Sequence, residues 1–263
     1  MAVCVASRTD LSPTCFHLTL ATPEPVVAEP GQFGMVSCGE GLDPLLRRAF
    51  SLAGVVAKGS GSEVELLVKE VGKGTALLRR AVPGTELRLL APLGRGFTLE
   101  GGAPAALVAG GIGLPPVLFA AEAMAALGVR FDLFLGATTA AELLEVERCA
   151  RACEAAGGRL VLTTDDGTRG ERGLVVAALE RRLAAGHRYA RVLACGPTPM
   201  LAALTLLARE RGVPTEVSLE EPMACGVGVC LGCVVELGDG RFVSACREGP
   251  VFPVERLAAR WWV

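Results

Sequence analysis

The stretch from 216 to 253, EVSLEEPMACGVGVCLGCVVELGDGRFVSACREGPVFP, carries Cys225, Cys230, Cys233 and Cys246 at the spacing C-x4-C-x2-C-x12-C. That order suits four thiolates holding a 2Fe-2S cluster. Gly226, Gly228 and Gly232 lie between the first three cysteines, and residues free to take positive φ let a loop turn tightly and aim backbone N–H groups at sulfur. Three other uses of such cysteines compete. A structural zinc site would show two close pairs, whereas only one C-x2-C pair is present and no histidine is near it. Disulfides need an oxidising compartment. Small buried hydrophobes are a common fate of isolated cysteines, though not of four clustered among glycines.

A chain of 263 residues exceeds the usual single-domain size, so two or three compact units are expected. The formal charge of -2, without a run of Lys or Arg, argues against nucleic acid or an anionic membrane surface as a partner. MAVCVASRTD shows no basic segment followed by an apolar run, so the expected location is the cytoplasm, with the ten cysteines as reduced thiols or cofactor ligands. Residues 103 to 121 carry no charge over a membrane-spanning length, but Gly110, Gly111, Gly113, Pro115 and Pro116 cut them into a strand, a turn and a helix start.

Residues 1–99 read as short β segments broken by Pro and Gly, with period-two alternation clearest at Glu63 to Val68; an antiparallel Greek-key β-barrel is expected, with one short helix from Thr75 to Ala81. Around Gly101 to Pro104 the texture changes. Across 100–215, four apolar runs alternate with helical patterns, which implies an α/β unit with a parallel sheet covered on both faces. Residues 216–263 form a small third segment. No repeat or low-complexity tract is present.

At the first strand-to-helix turn of the α/β unit, Gly111 and Gly113 of GGIGLPP would let backbone approach a pyrophosphate at a helix N-terminus, with a plain tight turn as the alternative. Cys195 of CGPTPM ends the fourth strand, so it is expected to face the same crevice as Gly111 unless it is simply buried. Arg47-Arg48 together with Gly72-Lys73-Gly74-Thr75 form a candidate phosphate clamp; separately they would be a solvated arginine pair and a helix cap. Cys149 and Cys153 lie one helical turn apart among apolar residues and read as core, as do Cys4, Cys15 and Cys38. Neither His17 nor His187 has an acidic partner identifiable from sequence.

The order of barrel, dinucleotide sheet and cluster segment resembles the ferredoxin reductase-like flavoproteins. Arg48-Ala49-Phe50-Ser51 is similar to that family's R-x-Y-S flavin motif, and Gly74-Thr75 to its phosphate-binding pair. LVKEVGKGTALL, APLGRGF, GGIGLPP, TTDDGTRGERG, CGPTPML, SLEEPMACGVGVCLGC and CREGPVF further resemble, in order, the electron-transfer subunits of NAD-dependent dihydroorotate dehydrogenases. The resemblance implies FAD on Arg48, Ala49, Phe50, Ser51, Leu67, Val68, Lys69, Gly74 and Thr75, and iron on the four cysteines. It also implies that Cys195 lies near the nicotinamide where hydride leaves the flavin. An FMN-containing catalytic subunit would be the partner, in a heterotetramer with two copies of each chain, passing electrons from dihydroorotate to NAD in pyrimidine synthesis. Lys69 stands where that family often has arginine and Ala49 where it often has proline. Two rival roles share parts of this pattern: the small subunit of an NAD(P)-linked ferredoxin oxidoreductase or sulfide dehydrogenase, and a non-enzymatic iron-sulfur sensor. The acidic residues Glu142, Asp165 and Asp166, with no arginine before Arg169 in their loops, predict NAD over NADP.

Overall fold

A computed structural model describes residues 1–39, 43–100, 102 and 104–262. Gly101 and Ala103, where the texture changes, lie outside the described residues, as does Val263.

Alternation writes the first sheet. In β6 (Gly61–Lys69), Val64, Leu66 and Val68 are fully buried in one core while Glu65, Leu67 and Lys69 point the other way. It pairs with β5 (Gly54–Lys58) and β2 (Cys15–Thr22) in a seven-stranded antiparallel sheet that also holds β1 (Ala2–Asp10), β3 (Phe33–Val36), β4 (Arg48–Ser51) and β7 (Glu86–Leu93). The order is β4-β3-β7-β1-β2-β6-β5. Beyond β4, Ala53 N–H donates to Glu65 O at 2.8 Å, so the two edges curl towards each other and the sheet closes as a barrel. The helix α1 (Lys73–Arg80) starts two residues earlier than the sequence expectation.

The second sheet has order β11-β10-β9-β8-β12-β13-β16. Its parallel strands are β8 (Ala105–Gly110), β9 (Phe131–Ala137), β10 (Leu160–Thr164), β11 (Glu171–Arg172), β12 (Arg191–Cys195) and β13 (Thr215–Ser218). The helices α2 (Leu114–Ala126), α3 (Val146–Ala155), α4 (Val175–Ala184) and α5 (Thr198–Arg211) follow β8, β9, β11 and β12 respectively. Ala105, Leu107 and Ala109 face α2 and α3; Ala106 and Val108 face α4 and α5. Cys149 and Cys153 are packed into the first of these faces, where burial pushes their thiols up to about 12 and about 11. No helix among the described residues is long and apolar enough to cross a membrane.

The third segment has no core of its own. The hairpin β14 (Val234–Glu236) and β15 (Phe242–Ser244), the short α6 (Ala245–Glu248) and β16 (Val251–Pro253) bury Val235, Leu237, Cys246 and Phe252 with side chains of the second sheet. β16 then joins that sheet antiparallel to β13, with Phe252 opposite Val217. Just before it, Gly249 O accepts from Arg95 N–H at 2.6 Å, which ties the segment to the end of β7 as well.

Candidate functional site

The cysteine loop lies against the barrel. Gly226 has φ +72°, and a Cβ there would stand 2.7 Å from Met35; Gly228 has φ +79°, and its Cβ would stand 2.3 Å from Arg247 Cδ. Only glycine satisfies both the conformation and the space at these positions. Backbone N–H groups point at sulfur: Gly228 to Cys246 at 3.1 Å, Val227 to Cys225 at 3.4 Å and Gly232 to Cys230 at 3.5 Å. The Val227 N–H, ahead of the Cys230 backbone and thiol, holds the Cys225 thiol below its ordinary range, whereas burial, ahead of the adjacent Cys233, pushes Cys246 up. The Cys225 thiol is influenced by Cys230, and that of Cys246 by both Cys233 and Cys225, so the four sulfurs lie within one another's electrostatic reach. Among the described residues no three Cys, His, Asp or Glu side chains converge on a point that one ion could fill. Four thiols gathered in one loop without a shared single-ion point fit a two-iron group, in which each iron takes two thiolates, better than a single metal.

A cavity of about 540 Å³ opens between the barrel and the other two units. Arg48, Ala49, Phe50, Ser51, Leu67, Lys69, Gly74 and Thr75 all line it. Val68 does not, because period two turns it into the barrel core, where it is fully buried. Ala76 N–H makes the first bond of α1, to Gly72 O, so the N–H groups of Gly74 and Thr75 have no partner within the helix. The Thr75 hydroxyl is committed locally: it accepts from Val71 and Gly72 N–H and donates to Gly72 O. A Cβ on Gly74 would stand 3.1 Å from Arg48 Nε and 3.2 Å from Cys38 Sγ, so the missing side chain leaves a cradle beside the guanidinium. These features suit the diphosphate of a flavin dinucleotide. Phe33, Ile112, Glu220, Met223 and Pro250 form the far wall, to which no local motif points; the signal for Glu220, Met223 and Pro250 lies in SLEEPM and CREGP, among the resembling stretches.

A second cavity, of about 370 Å³, lies at the carboxyl ends of β8, β9 and β12. Strand order reverses between β8 and β12, which makes this the switch-point crevice of the parallel sheet. Gly111 lines it, at φ +52° with nothing within 4 Å of a Cβ position. Gly113 does not: a Cβ there would stand 2.5 Å from the Cys195 carbonyl and from Gly196 Cα. Its glycine serves the packing of one turn on the next. Gly113→Ala should accordingly lower unfolding stability by about 1–3 kcal/mol, measured in urea; an unchanged midpoint would overturn this assignment.

Cys195 also lines neither cavity, contrary to expectation. It is 2% exposed, and burial, ahead of the Glu220 charge, pushes its thiol up to about 12. Period two along β12 places it with Leu193 on the face packed against α2. Of the remaining cysteines, Cys38 is buried in the barrel, Cys15 packs against the second sheet and lines its crevice, and Cys4 is exposed rather than packed. Lys69 and Ile112 line both cavities, so the two spaces adjoin there.

Residues 220–258 match the family model of the iron-sulfur cluster binding domain of dihydroorotate dehydrogenase B, and residues 107–205 match that of the oxidoreductase NAD-binding domain. The electron transfer subunit of dihydroorotate dehydrogenase B (NAD(+)) from Geobacillus thermodenitrificans is 40% identical over 257 residues, covering 94% of each chain. Its counterpart from Desulforamulus reducens is 38% identical over 248 residues, covering 92% of each. The chain belongs to the family of electron transfer subunits of NAD-dependent dihydroorotate dehydrogenase B. The chain has a ferredoxin reductase-like architecture, with FAD, 2Fe-2S and NAD as its cofactors. A solved NADH-dependent reduced ferredoxin-NADP oxidoreductase structure superposes with TM-score 0.86 at 29% identity, over 98% of this chain and 90% of that one. The ferredoxin NADP+ reductase of Neisseria gonorrhoeae shares the fold at TM-score 0.66 and 17% identity, over 81% of this chain and 91% of that one.

Proposed function

We propose that the chain takes electrons from an FMN-containing catalytic subunit that oxidises dihydroorotate, and delivers them to NAD by way of a 2Fe-2S cluster and FAD. The observation that carries this is the continuity of three sites. Met223, two residues before Cys225, lines the barrel cavity, while Lys69 and Ile112 belong to both that cavity and the crevice. Two residues of chain span at most about 7 Å. When bound, a cluster exchanges single electrons and a flavin one or two, which matches a one-electron supply to a two-electron acceptor.

The chain's own residues hold and orient. Cys225, Cys230, Cys233 and Cys246 are the thiolates for iron. Arg48, whose Nη1 is fixed by Leu46 O at 2.5 Å, presents the rest of its fork beside Gly74 and Thr75 N–H, where a flavin diphosphate would bind. Ala49, Phe50, Ser51, Leu67 and Lys69 line the same space for its ring system. Gly111 opens the crevice to the NAD diphosphate. Cys195 acts from beneath, holding the CGP turn in place rather than touching the ligand.

Glu142 and Asp165 line the crevice, so a ribose hydroxyl has acceptors there and a 2′-phosphate would meet negative charge. NADH is therefore expected to exceed NADPH by about 10-fold or more in kcat/KM with a dye acceptor; comparable values would overturn this.

The assembly we favour is a cytoplasmic heterotetramer with two copies of each subunit, the catalytic one seated over the cluster loop. Purified chain should contain FAD and two irons and should oxidise NADH with a dye. Mixed with the catalytic subunit, it should let dihydroorotate reduce NAD, and failure of that coupling would sink the proposal. The likeness to the NADH-dependent reduced ferredoxin-NADP oxidoreductase structure supports one alternative, the same electron path with a different flavoprotein partner. The partner that co-purifies from the native cell separates the two.

A further inference from the structure

Residues 17, 65, 122, 145 and 148 are scattered in sequence yet meet between the barrel and the dinucleotide unit. Strand register explains the barrel side: His17 is opposite Leu67 and Cys15 opposite Lys69 across β2 and β6, so these four and Glu65 share one outward face. That face meets the loop and first turn of α3. Arg148 reaches from α3 to both sides, with Nη1 2.7 Å from Glu65 Oε2 and Nε and Nη2 2.5 and 2.8 Å from Glu122 Oε1 and Oε2 on α2. His17 lies between Glu65 Oε2, at 3.8 Å from Nε2, and Glu145 Oε1, at 3.7 Å from Nδ1. Sequence spacing gave no hint of this arrangement. Glu145 itself holds φ +49° at the start of α3, a strained conformation for a residue that is not glycine.

Both walls of the crevice grow out of this cluster. Glu65 is followed along the same face of β6 by Leu67 and by Lys69, which lines the crevice; Glu145 is preceded by Glu142 and Leu144, which line it from the other side. We propose that Arg148 is a positioning residue that clasps the barrel to α2 and α3, and thereby sets the width of the crevice for a nicotinamide dinucleotide. The inference rests on the assignment of NAD to that crevice. An arginine fork held by two carboxylates fixes a distance, whereas a single ion pair between half-exposed groups would fix little.

The test is NAD binding by calorimetry to the FAD- and iron-loaded protein, alongside NADH oxidation with a soluble dye. Arg148→Met should raise the NAD dissociation constant and the NADH KM by about 10-fold while changing kcat less than about twofold, because geometry and not chemistry is altered. FAD and iron content should not change. Arg148→Lys should recover part of the loss, since one ammonium cannot grip both carboxylates in plane. Binding by Arg148→Met within about twofold of wild type would overturn the clasp, as would loss of FAD in parallel with loss of NAD binding. If Arg148→Met fails to fold, Glu122→Gln loosens only the more exposed half of the fork and should raise the NAD dissociation constant by about threefold; no change there overturns the proposal equally. Wild-type protein that binds no NAD would instead refute the crevice assignment, so the two failures are distinguishable.

Discussion

Cys230→Ser is expected to strip most of the iron and the cluster's visible absorption from the protein, and to cut dihydroorotate-dependent NAD reduction by more than about 100-fold, since loss of a direct ligand should exceed the effect of losing a supporting contact. NADH oxidation by a two-electron dye should survive, with FAD still bound. The choice of residue follows from burial. Cys233 and Cys246 are each 2% exposed and packed with Val235, Leu237 and Phe252, so replacing either would test the fold as much as the metal. Cys230 is exposed and its sulfur takes only a weak bond from Gly232 N–H at 3.5 Å. The barrel cavity is lined mainly by β4, β6 and α1, none of which depends on that thiol. Its far wall, however, includes Met223 just ahead of the loop. Parallel loss of FAD and iron would mean that the loop and the flavin cavity order together, and that the cluster segment cannot be treated as a separate unit.

How much of this was legible in the sequence depends on how local each signal is. Alternation along β6 sets which side chains face the barrel core, Val64, Leu66 and Val68, and which take the opposite face, where Leu67 and Lys69 line the cavity; the motif that names Val68 does not say which way its side chain points. Gly111 and Gly113 look alike in GGIGLPP, yet one borders open space and the other touches the Cys195 carbonyl, a contact with a strand some eighty residues on that no local pattern encodes. Cys195 ends a strand at the crevice, yet it packs with Leu193 beneath α2, a neighbour that no local pattern names. The return of residues 251–253 to the second sheet, and the meeting of His17 and Arg148 with their carboxylates, are tertiary pairings between distant segments. Val251 and Phe252, an apolar pair close to the cysteines in sequence, are buried by joining the sheet beside β13.

That burial narrows the surface on which a partner can dock. What remains exposed around Cys230 is Val227 at 43%, Val229 at 79% and Leu231 at 62%, with Val234 at 42% and Phe242 at 66% on the adjoining hairpin. Five large apolar side chains around an accessible cluster ligand exceed what a free solvent face favours, and they match the apolar centre of a subunit interface. A single electron must cross from the catalytic subunit, and transfer weakens steeply with distance, so the face nearest the cluster is where that subunit has to sit. Val229→Glu combined with Phe242→Glu should weaken association enough to lower coupled turnover by about 100-fold at limiting subunit concentration, because charges buried at an interface centre without partners are costly. The iron content, the cluster spectrum and NADH oxidation by dye should match wild type, since neither side chain is buried in this chain. Phe242→Glu alone, on the hairpin and outside the 225–233 stretch, should show a smaller loss of the same kind. Full coupled activity in the double variant, with normal iron, would place the catalytic subunit on another face and leave the apolar patch as cover for the cluster.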